Sequence, residues 1–465
     1  MSRPVRIRRA EADGAPTSAG APLPPVELFL PVAGGAETLL AQEVQRLTGT
    51  PAQVGRGGVW VRGDARTAMQ LNLESRLAQR VLWPLAEGPC RHEDEVYALA
   101  RQVHWPAWIA PDQTLRVDVQ AHASPLRSLN FATLRIKDAV CDALREACGE
   151  RPSVDTHHPD LPLVAYLGPE RGTLYADTSG EALFKRGWRD ARGGREDVKG
   201  EAPLKETLAA AMLAAAGWQG REQDGVLLDP FCGAGTIAIE AAQIACGIAP
   251  GLARRFAFER QLPFRPHLGA WQALREAARA RVHAPAVAVH AGDVSFRMTD
   301  FAQRNAERAG VAHAIVFKTA DALQRPPPAP AGVLIMNPPY GERIAPKGRG
   351  SRGGADGHGS LGDHGDHGGH ESKPAVAAPR AGREAFEGAP AGPGHDGPDP
   401  ADAFYAGLAA HWKRHYAGWT AWILSPDAQL PSRLRLKESR RAPMWNGPIE
   451  CRLMRFELVA GSARR

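Results

Sequence analysis

The residues best suited to chemistry lie in two short runs. The first, Asp229-Pro230-Phe231-Cys232-Gly233-Ala234-Gly235-Thr236, follows the apolar pair Leu227 and Leu228 and opens the helical stretch TIAIEAAQIA. Glycines in such a strand-to-helix turn let a ligand approach the backbone closely, and the first N–H groups of the helix are free to bind it. The G-x-G-x-x-A spacing serves dinucleotide-binding and S-adenosylmethionine-binding enzymes alike, so by itself it leaves both open. The second run is Asn337-Pro338-Pro339-Tyr340, directly after GVLIM. Consecutive prolines cannot continue a sheet ladder, so the chain leaves the strand there, at the edge where open α/β sheets bind ligands. An Asn amide oxygen and a Pro carbonyl can each accept a hydrogen from an exocyclic amine and hold its nitrogen towards an incoming methyl group, while Tyr340 offers a stacking face.

Two carboxylates complete the set. Asp293 ends the strand AVAVHAGD and is placed to take the hydroxyls of a ribose; Asp321, in FKTAD, ends the next strand and can accept from an adenine amino group. Asp293 lies much further from the glycine motif than the roughly 20 residues of a simple dinucleotide fold. Cys232 reads as a packing residue, and no metal is expected.

The elements that must position these groups alternate along the second half of the chain. GVLLDP, AVAVHAGD, AIVFKTAD and GVLIMNPP read as strands, with LKETLAAAMLAAAGW, TIAIEAAQIA and DFAQRNAERAG as helices, the pattern of a doubly wound, mostly parallel sheet. The first half reads as α+β: VELFLP, VGRGGVWVRG and LRVDVQAH as strands, AETLLAQEVQRL and FATLRIKDAVCDALREAC as amphipathic helices, and LVAYLGPERGTLYADTS as a hairpin. The stretch 346–400 is dominated by Gly, Pro, Asp, His and Ala and has too few large apolar groups to offset ordering entropy, so it is expected to be a disordered insertion.

Composition bounds the class. At 465 residues, 43% hydrophobic and 23% charged, the chain is long enough for several globular domains and unlike a fibrous or wholly disordered one. It has no apolar run of the roughly 20 residues that a membrane span needs. Six scattered cysteines without a C-x-x-C pair suggest neither disulfides nor a zinc ribbon and fit a reducing cytoplasm. The opening MSRPVRIRRAEADGAP lacks an apolar core, and its Glu11 and Asp13 do not suit a transit peptide, so 1–24 reads as a disordered leader. Net charge is only +6, a weak pointer to a polyanion, and where the cations cluster matters more.

Taken in order, DPFCGAGT, AGD, TAD and NPPYGER resemble the class I S-adenosylmethionine-dependent methyltransferases that modify exocyclic amines, and APLKETLAAAMLAAAGW with the late NGPIEC is similar to the bacterial 23S ribosomal RNA guanine-N2 methyltransferase family. The resemblance implies a Rossmann-like methyltransferase sheet preceded by a ferredoxin-like/THUMP RNA-binding region. It divides the chain into a ferredoxin-like part at 25–74, a THUMP domain at 75–184, a basic linker at 185–202 and a methyltransferase domain at 203–465. It implies that S-adenosylmethionine is held by Asp229, Phe231, Gly233, Gly235, Thr236, Asp293 and Asp321, that Asn337, Pro338, Pro339 and Tyr340 are catalytic, and that Lys137, Lys185, Arg186, Trp188 and Arg189 meet RNA. The expected partner is 23S ribosomal RNA or a precursor of the large subunit, with no obligatory protein partner. Some family members carry a second methyltransferase after this point; this protein is expected to lack one and to perform one methylation only. Guanine-N2 methylation of transfer RNA and a non-catalytic role in ribosome assembly are the rival readings. A further basic run, Arg433, Arg435, Lys437, Arg440 and Arg441, is expected near the substrate side.

Overall fold

The computed structural model describes residues 23–189, 204–339 and 400–459. Two sheets carry the chain. The first has eight strands: β1 (Val26–Pro31), β2 (Gln53–Gly55), β3 (Gly58–Gly63), β4 (Leu82–Pro89), β5 (Thr114–Ala121), β6 (Ser153–Val154), β7 (Leu161–Leu167) and β8 (Arg171–Asp177), in the order β2-β3-β1-β4-β8-β7-β5-β6. The run VGRGGVWVRG folds as a hairpin of β2 and β3, turned at its Gly pair, where Gly57 has φ +75°.

Helices α1 (Glu37–Thr48), α2 (Ala65–Glu74), α3 (Glu93–Arg101) and α4 (Leu129–Cys148) present Leu40, Val44, Met69, Val96, Ile136 and Leu144 to the core. The strands meet them with alternate residues such as Leu28, Leu30, Val59 and Val61, the period of two that a half-covered sheet requires. The intervening residues make a separate aromatic cluster of strand residues only, Phe29, Trp60, Tyr166 and Tyr175 around Leu82 and Val164. Asp64 and Ser128 start α2 and α4 by accepting the N–H groups of Thr67 and Phe131.

The second sheet holds seven strands: β9 (Val226–Asp229), β10 (Val289–Asp293), β11 (Ile315–Thr319), β12 (Gly332–Met336), β13 (Trp419–Ser425), β14 (Glu438–Asn446) and β15 (Ile449–Leu458). Their order is β11-β10-β9-β12-β13-β15-β14; the first five are mutually parallel and the last two close the sheet antiparallel. Continuous apolar runs such as Leu334, Ile335 and Met336 suit strands buried on both faces. Helices α5 (Glu206–Ala216), α6 (Thr236–Ala245), α7 (Leu268–Ala280), α8 (Phe296–Arg308), α9 (Pro400–His415) and α10 (Leu430–Leu434) cover it. The small side chains of α5 let it sit buried on nearly every side.

The two halves interlock. Gly34 and Gly35, between β1 and α1, lie against Trp445 and the Pro443 carbonyl of β14. Arg254 donates to the carbonyls of Glu181 and Ala182 at 2.8 and 2.9 Å. No helix among the described residues is long and apolar enough to cross a membrane. Tyr340, linker positions beyond Arg189, and 346–399 of the expected insertion lie outside the described residues, whereas Pro400, its last expected residue, begins α9.

Candidate active site

The parallel register lines up the ends of four strands. Asp229 pairs with Ala291, Asp293 with Thr319, and Leu228 with Leu334, so the turns after β9, β10, β11 and β12 share one edge of the sheet. Asp229, the glycine turn, Asp293, Asp321 and Asn337 therefore meet there, drawn from positions up to 108 residues apart. This is the crevice that parallel sheets offer to ligands.

Each anchor of the glycine turn can be named. Gly233 and Gly235 hold φ values of +50° and +86°, a conformation that other residues adopt only with strain. The Cys232 N–H donates to the Gly292 carbonyl at 2.7 Å, and the Gly233 N–H to Oδ2 of Asp293 at 3.1 Å. A side chain at 235 would press on Ala302, whereas position 233 faces open space among the described residues, with nothing nearer than Met298 at 4.0 Å. Oδ1 of Asp293 accepts the Ser295 N–H at 2.9 Å, which fixes the carboxylate and leaves further lone pairs for a ligand. Burial lifts its pKa above the usual carboxylate range, with the hydrogen bonds of Ser295 and Gly233 acting the other way.

Asp229 is 1% exposed, and its Oδ1 accepts the Phe231 N–H at 3.2 Å. Burial pushes its pKa up to about 8; the Phe231 bond and Arg325 oppose the rise, and the charge of Asp293 adds to it. Arg325 is itself buried beneath this edge, and a side chain at Gly292 would fall 2.1 Å from its Nη1. Gly292 in AGD is thus the space that the guanidinium occupies. Phe231 packs edge-on against Phe404 of α9, with ring centroids 5.9 Å apart.

Asp321 stands beside Asp293, linked through the Ala320 N–H to the Asp293 carbonyl at 3.0 Å, and its Oδ1 accepts the Leu323 N–H. Asn337 follows β12, with Pro338 buried behind it, and its amide Oδ1 is buried without a hydrogen-bond partner among the described residues. Buried acceptors are nearly always satisfied, so an open one at this edge marks a place where a donor from outside belongs.

The basic residues divide. Lys137 pairs with Asp138 at 2.7 Å and Lys185 with Glu181 at 2.9 Å, both partly open to solvent. Arg186 and Trp188 are 4% and 3% exposed. Arg186 donates to Glu240 and to the carbonyls of Leu183 and Arg76, so a guanidinium expected at an RNA surface is spent inside the protein. Arg189 pairs with Glu206 at 2.8 Å and donates to the Thr236 hydroxyl. In the late basic run Arg433 is held by Asp402 and Asp427, and Arg441 by Glu438. Arg441 pairs with Met454, which pairs with Ile423, and Ile423 pairs with Met336, so Arg441 is level with the residue before Asn337, three strands away.

Asn305, Arg308, Arg325 and Glu206 join this site without belonging to either chemical run of the sequence. The Gly of AGD is the one local signal for Arg325; the others need contacts distant in sequence.

Comparison with known proteins agrees with this architecture. Residues 27–82 match the RlmL ferredoxin-like domain, 90–177 the THUMP domain and 192–352 the RMKL-like methyltransferase domain. The chain is 34% identical over 446 residues to the ribosomal RNA large subunit methyltransferase K/L of Shewanella baltica OS195, covering 95% of this chain and 54% of that protein, so it spans about half the length of the curated relatives it matches. Among solved structures, SMU.472 in complex with SAH superimposes with a TM-score of 0.72 at 23% identity, over 95% of this chain and all of that one. TrmN from Thermus thermophilus gives 0.57 at 19% identity over 93% and 99%. At these identities the likeness is one of fold. In order along the chain, then, lie a segment similar to the RlmL ferredoxin-like domain, one similar to the THUMP domain and one similar to the RMKL-like methyltransferase domain.

Proposed function

We propose that the protein transfers a methyl group from S-adenosylmethionine to the N2 amine of a guanine in 23S ribosomal RNA. The observation that supports this reading most is the buried amide oxygen of Asn337, without a partner among the described residues, at the strand edge shared with the glycine turn and Asp293. The residues present fit the methyl donor: open space at Gly233, a carboxylate at Asp293 with lone pairs to spare, and a second carboxylate at Asp321. S-adenosylmethionine supplies a methyl group activated on a sulfonium. Asp293 takes the ribose hydroxyls, Asp321 the adenine amine, and the turn from Asp229 to Thr236 the methionine part.

Asn337 and the Pro338 carbonyl accept the two hydrogens of the guanine amine, turning its nitrogen lone pair to the methyl carbon. As the N–C bond forms the carbon–sulfur bond breaks to leave S-adenosylhomocysteine, and the methylated nitrogen releases one proton to solvent, so positioning supplies the acceleration and no covalent nucleophile is needed. Tyr340 stacks on the extruded base. Lys137 and Lys185 contact the RNA backbone from the THUMP side. The names of the Shewanella relatives support a large-subunit RNA substrate, free or in a precursor particle, and with it a cytoplasmic site of action.

The test is to incubate the protein with methyl-labelled cofactor and total RNA from cells lacking the activity, then map the label. Label on a guanine N2 of 23S RNA is expected. Label confined to transfer RNA would move the substrate, and none on any RNA would favour an assembly factor.

A further inference from the structure

The segment that joins the RNA-binding half to the catalytic half reaches the glycine turn by two separate routes. In the first, the Arg189 guanidinium is held by Glu206 at 2.8 Å and by the Leu204 carbonyl at 3.0 Å, and donates to the hydroxyl of Thr236, the first residue of α6. In the second, the Trp188 carbonyl accepts Nε of Arg308 at 2.8 Å, Arg308 donates to Oδ1 of Asn305, and Nδ2 of Asn305 donates to the Ala234 carbonyl at 2.8 Å. The two routes therefore start at adjacent linker residues and end on either side of Gly235. Trp188, Glu206, Asn305 and Thr236 are all buried, so these bonds are made away from competing water.

We propose that Trp188 and Arg189 are positioning residues that, with Asn305 and Arg308, clamp the glycine turn in its ligand-binding shape. The turn needs such a clamp: with two glycines at positive φ it has more conformations to lose than an ordinary loop, and whatever freedom is not removed beforehand is charged against the ligand. The anchors on the other side, Cys232 to Gly292 and Gly233 to Asp293, come from β10 and fix the start of the turn. Those from the linker fix its end and the first residue of the helix. This inference rests on the reading of the turn as the S-adenosylmethionine site, and it assigns the Arg189 guanidinium to that site rather than to RNA.

The experiment measures three quantities on the full chain with Arg189→Met and, separately, Asn305→Ala: S-adenosylhomocysteine affinity by calorimetry, 23S RNA affinity by filter binding, and steady-state methyl transfer. Loss of a buried hydrogen bond to a charged or amide group is expected to weaken S-adenosylhomocysteine about tenfold and raise KM for the methyl donor by a similar factor. RNA affinity should stay within about twofold and kcat within about threefold, a split that general loss of structure does not produce. Unchanged S-adenosylhomocysteine affinity in both variants overturns the clamp. So does a loss of RNA affinity in Arg189→Met with S-adenosylhomocysteine binding intact, which would return Arg189 to the RNA surface. If Arg189→Met does not fold, Asn305→Ala and Arg308→Met decide through the second route. Wild-type protein that binds no S-adenosylhomocysteine removes the cofactor reading itself, and the clamp with it.

Discussion

Arg186 and Glu240 form an ion pair of 2.9 Å with side chains only 2% and 0% exposed, the first from the segment after the THUMP domain and the second from α6 of the methyltransferase domain. Arg76, two residues beyond the end of α2, reaches the same carboxylate at 3.3 Å. One buried anion thus gathers three parts of the chain. Removing one member of a buried pair strands the opposite charge, which costs about 3–5 kcal/mol. Glu240→Gln is therefore expected to lower the thermal midpoint clearly at every pH between 6 and 9. A midpoint equal to wild type would show that the bridge contributes no net stability.

Asp293→Ala removes the proposed ribose contact together with an anchor of Gly233. S-adenosylhomocysteine binding should weaken by about 1–3 kcal/mol, the cost of unpaired polar partners, while 23S RNA binding is unchanged. Calorimetry and filter binding on the same preparation check both; wild-type affinity in the variant would remove Asp293 from the cofactor site.

The raised pKa of Asp229 predicts a pH dependence. The group holds its proton up to about 8 in the folded chain and only to its ordinary 3.8 when unfolded. Between those limits the native state binds the extra proton, so this group's contribution to stability declines as pH rises from 3.8 to about 8 and is level above that. Asp229→Asn cannot ionise. Its midpoint should gain on that of wild type from pH 5 to pH 8 by on the order of a few degrees. Parallel curves would mean that Asp229 ionises normally in the folded protein.

Gly35 and Gly49 separate backbone strain from collision. Both have positive φ, +84° and +72°, but a side chain at 35 would meet the Pro443 carbonyl oxygen at 2.1 Å, whereas nothing lies within 4 Å at 49. Gly49→Ala is expected to cost about 1–2 kcal/mol from the left-handed conformation alone. Gly35→Ala should cost more, because the β14 backbone must yield where the two halves interlock. Equal losses in chemical unfolding would show that this hairpin moves aside freely.

The parts of the site legible in the sequence are those written in local chemistry. Asn337-Pro338-Pro339 announces a strand end because proline cannot pair in a ladder, and Gly233 with Gly235 announces a turn because other side chains resist its conformation. Arg186 and Trp188 show where this stops. A run of cations around an aromatic reads as solvent-facing, yet Arg186 is drawn inside by a carboxylate 54 positions later, and no local pattern encodes that pairing. Asn305 likewise reads as one more polar position on α8; only the fold sets its amide against Ala234. Alternation marks β1, β3, β5, β7 and β8 in the sequence, but β4 carries no such signal, and the joining of the strands into one sheet depends on its pairing with both β1 and β8.

The sharpest division between an enzyme and an RNA-binding factor runs through Asn337. If its open amide oxygen orients the guanine amine, Asn337→Ala loses an interaction worth most in the transition state and little in the ground state. Single-turnover transfer to 23S RNA should fall by about two to four orders of magnitude, while S-adenosylhomocysteine and RNA bind as before. Asn337→Asp keeps an acceptor oxygen but adds a negative charge beside Asp229 and Asp293, so it should restore some transfer at low pH, where a carboxyl there is protonated, and lose it as pH rises. Undiminished transfer by Asn337→Ala would strip the residue of its catalytic role. A proportional fall in binding and transfer would make it a contact for the ground-state complex alone.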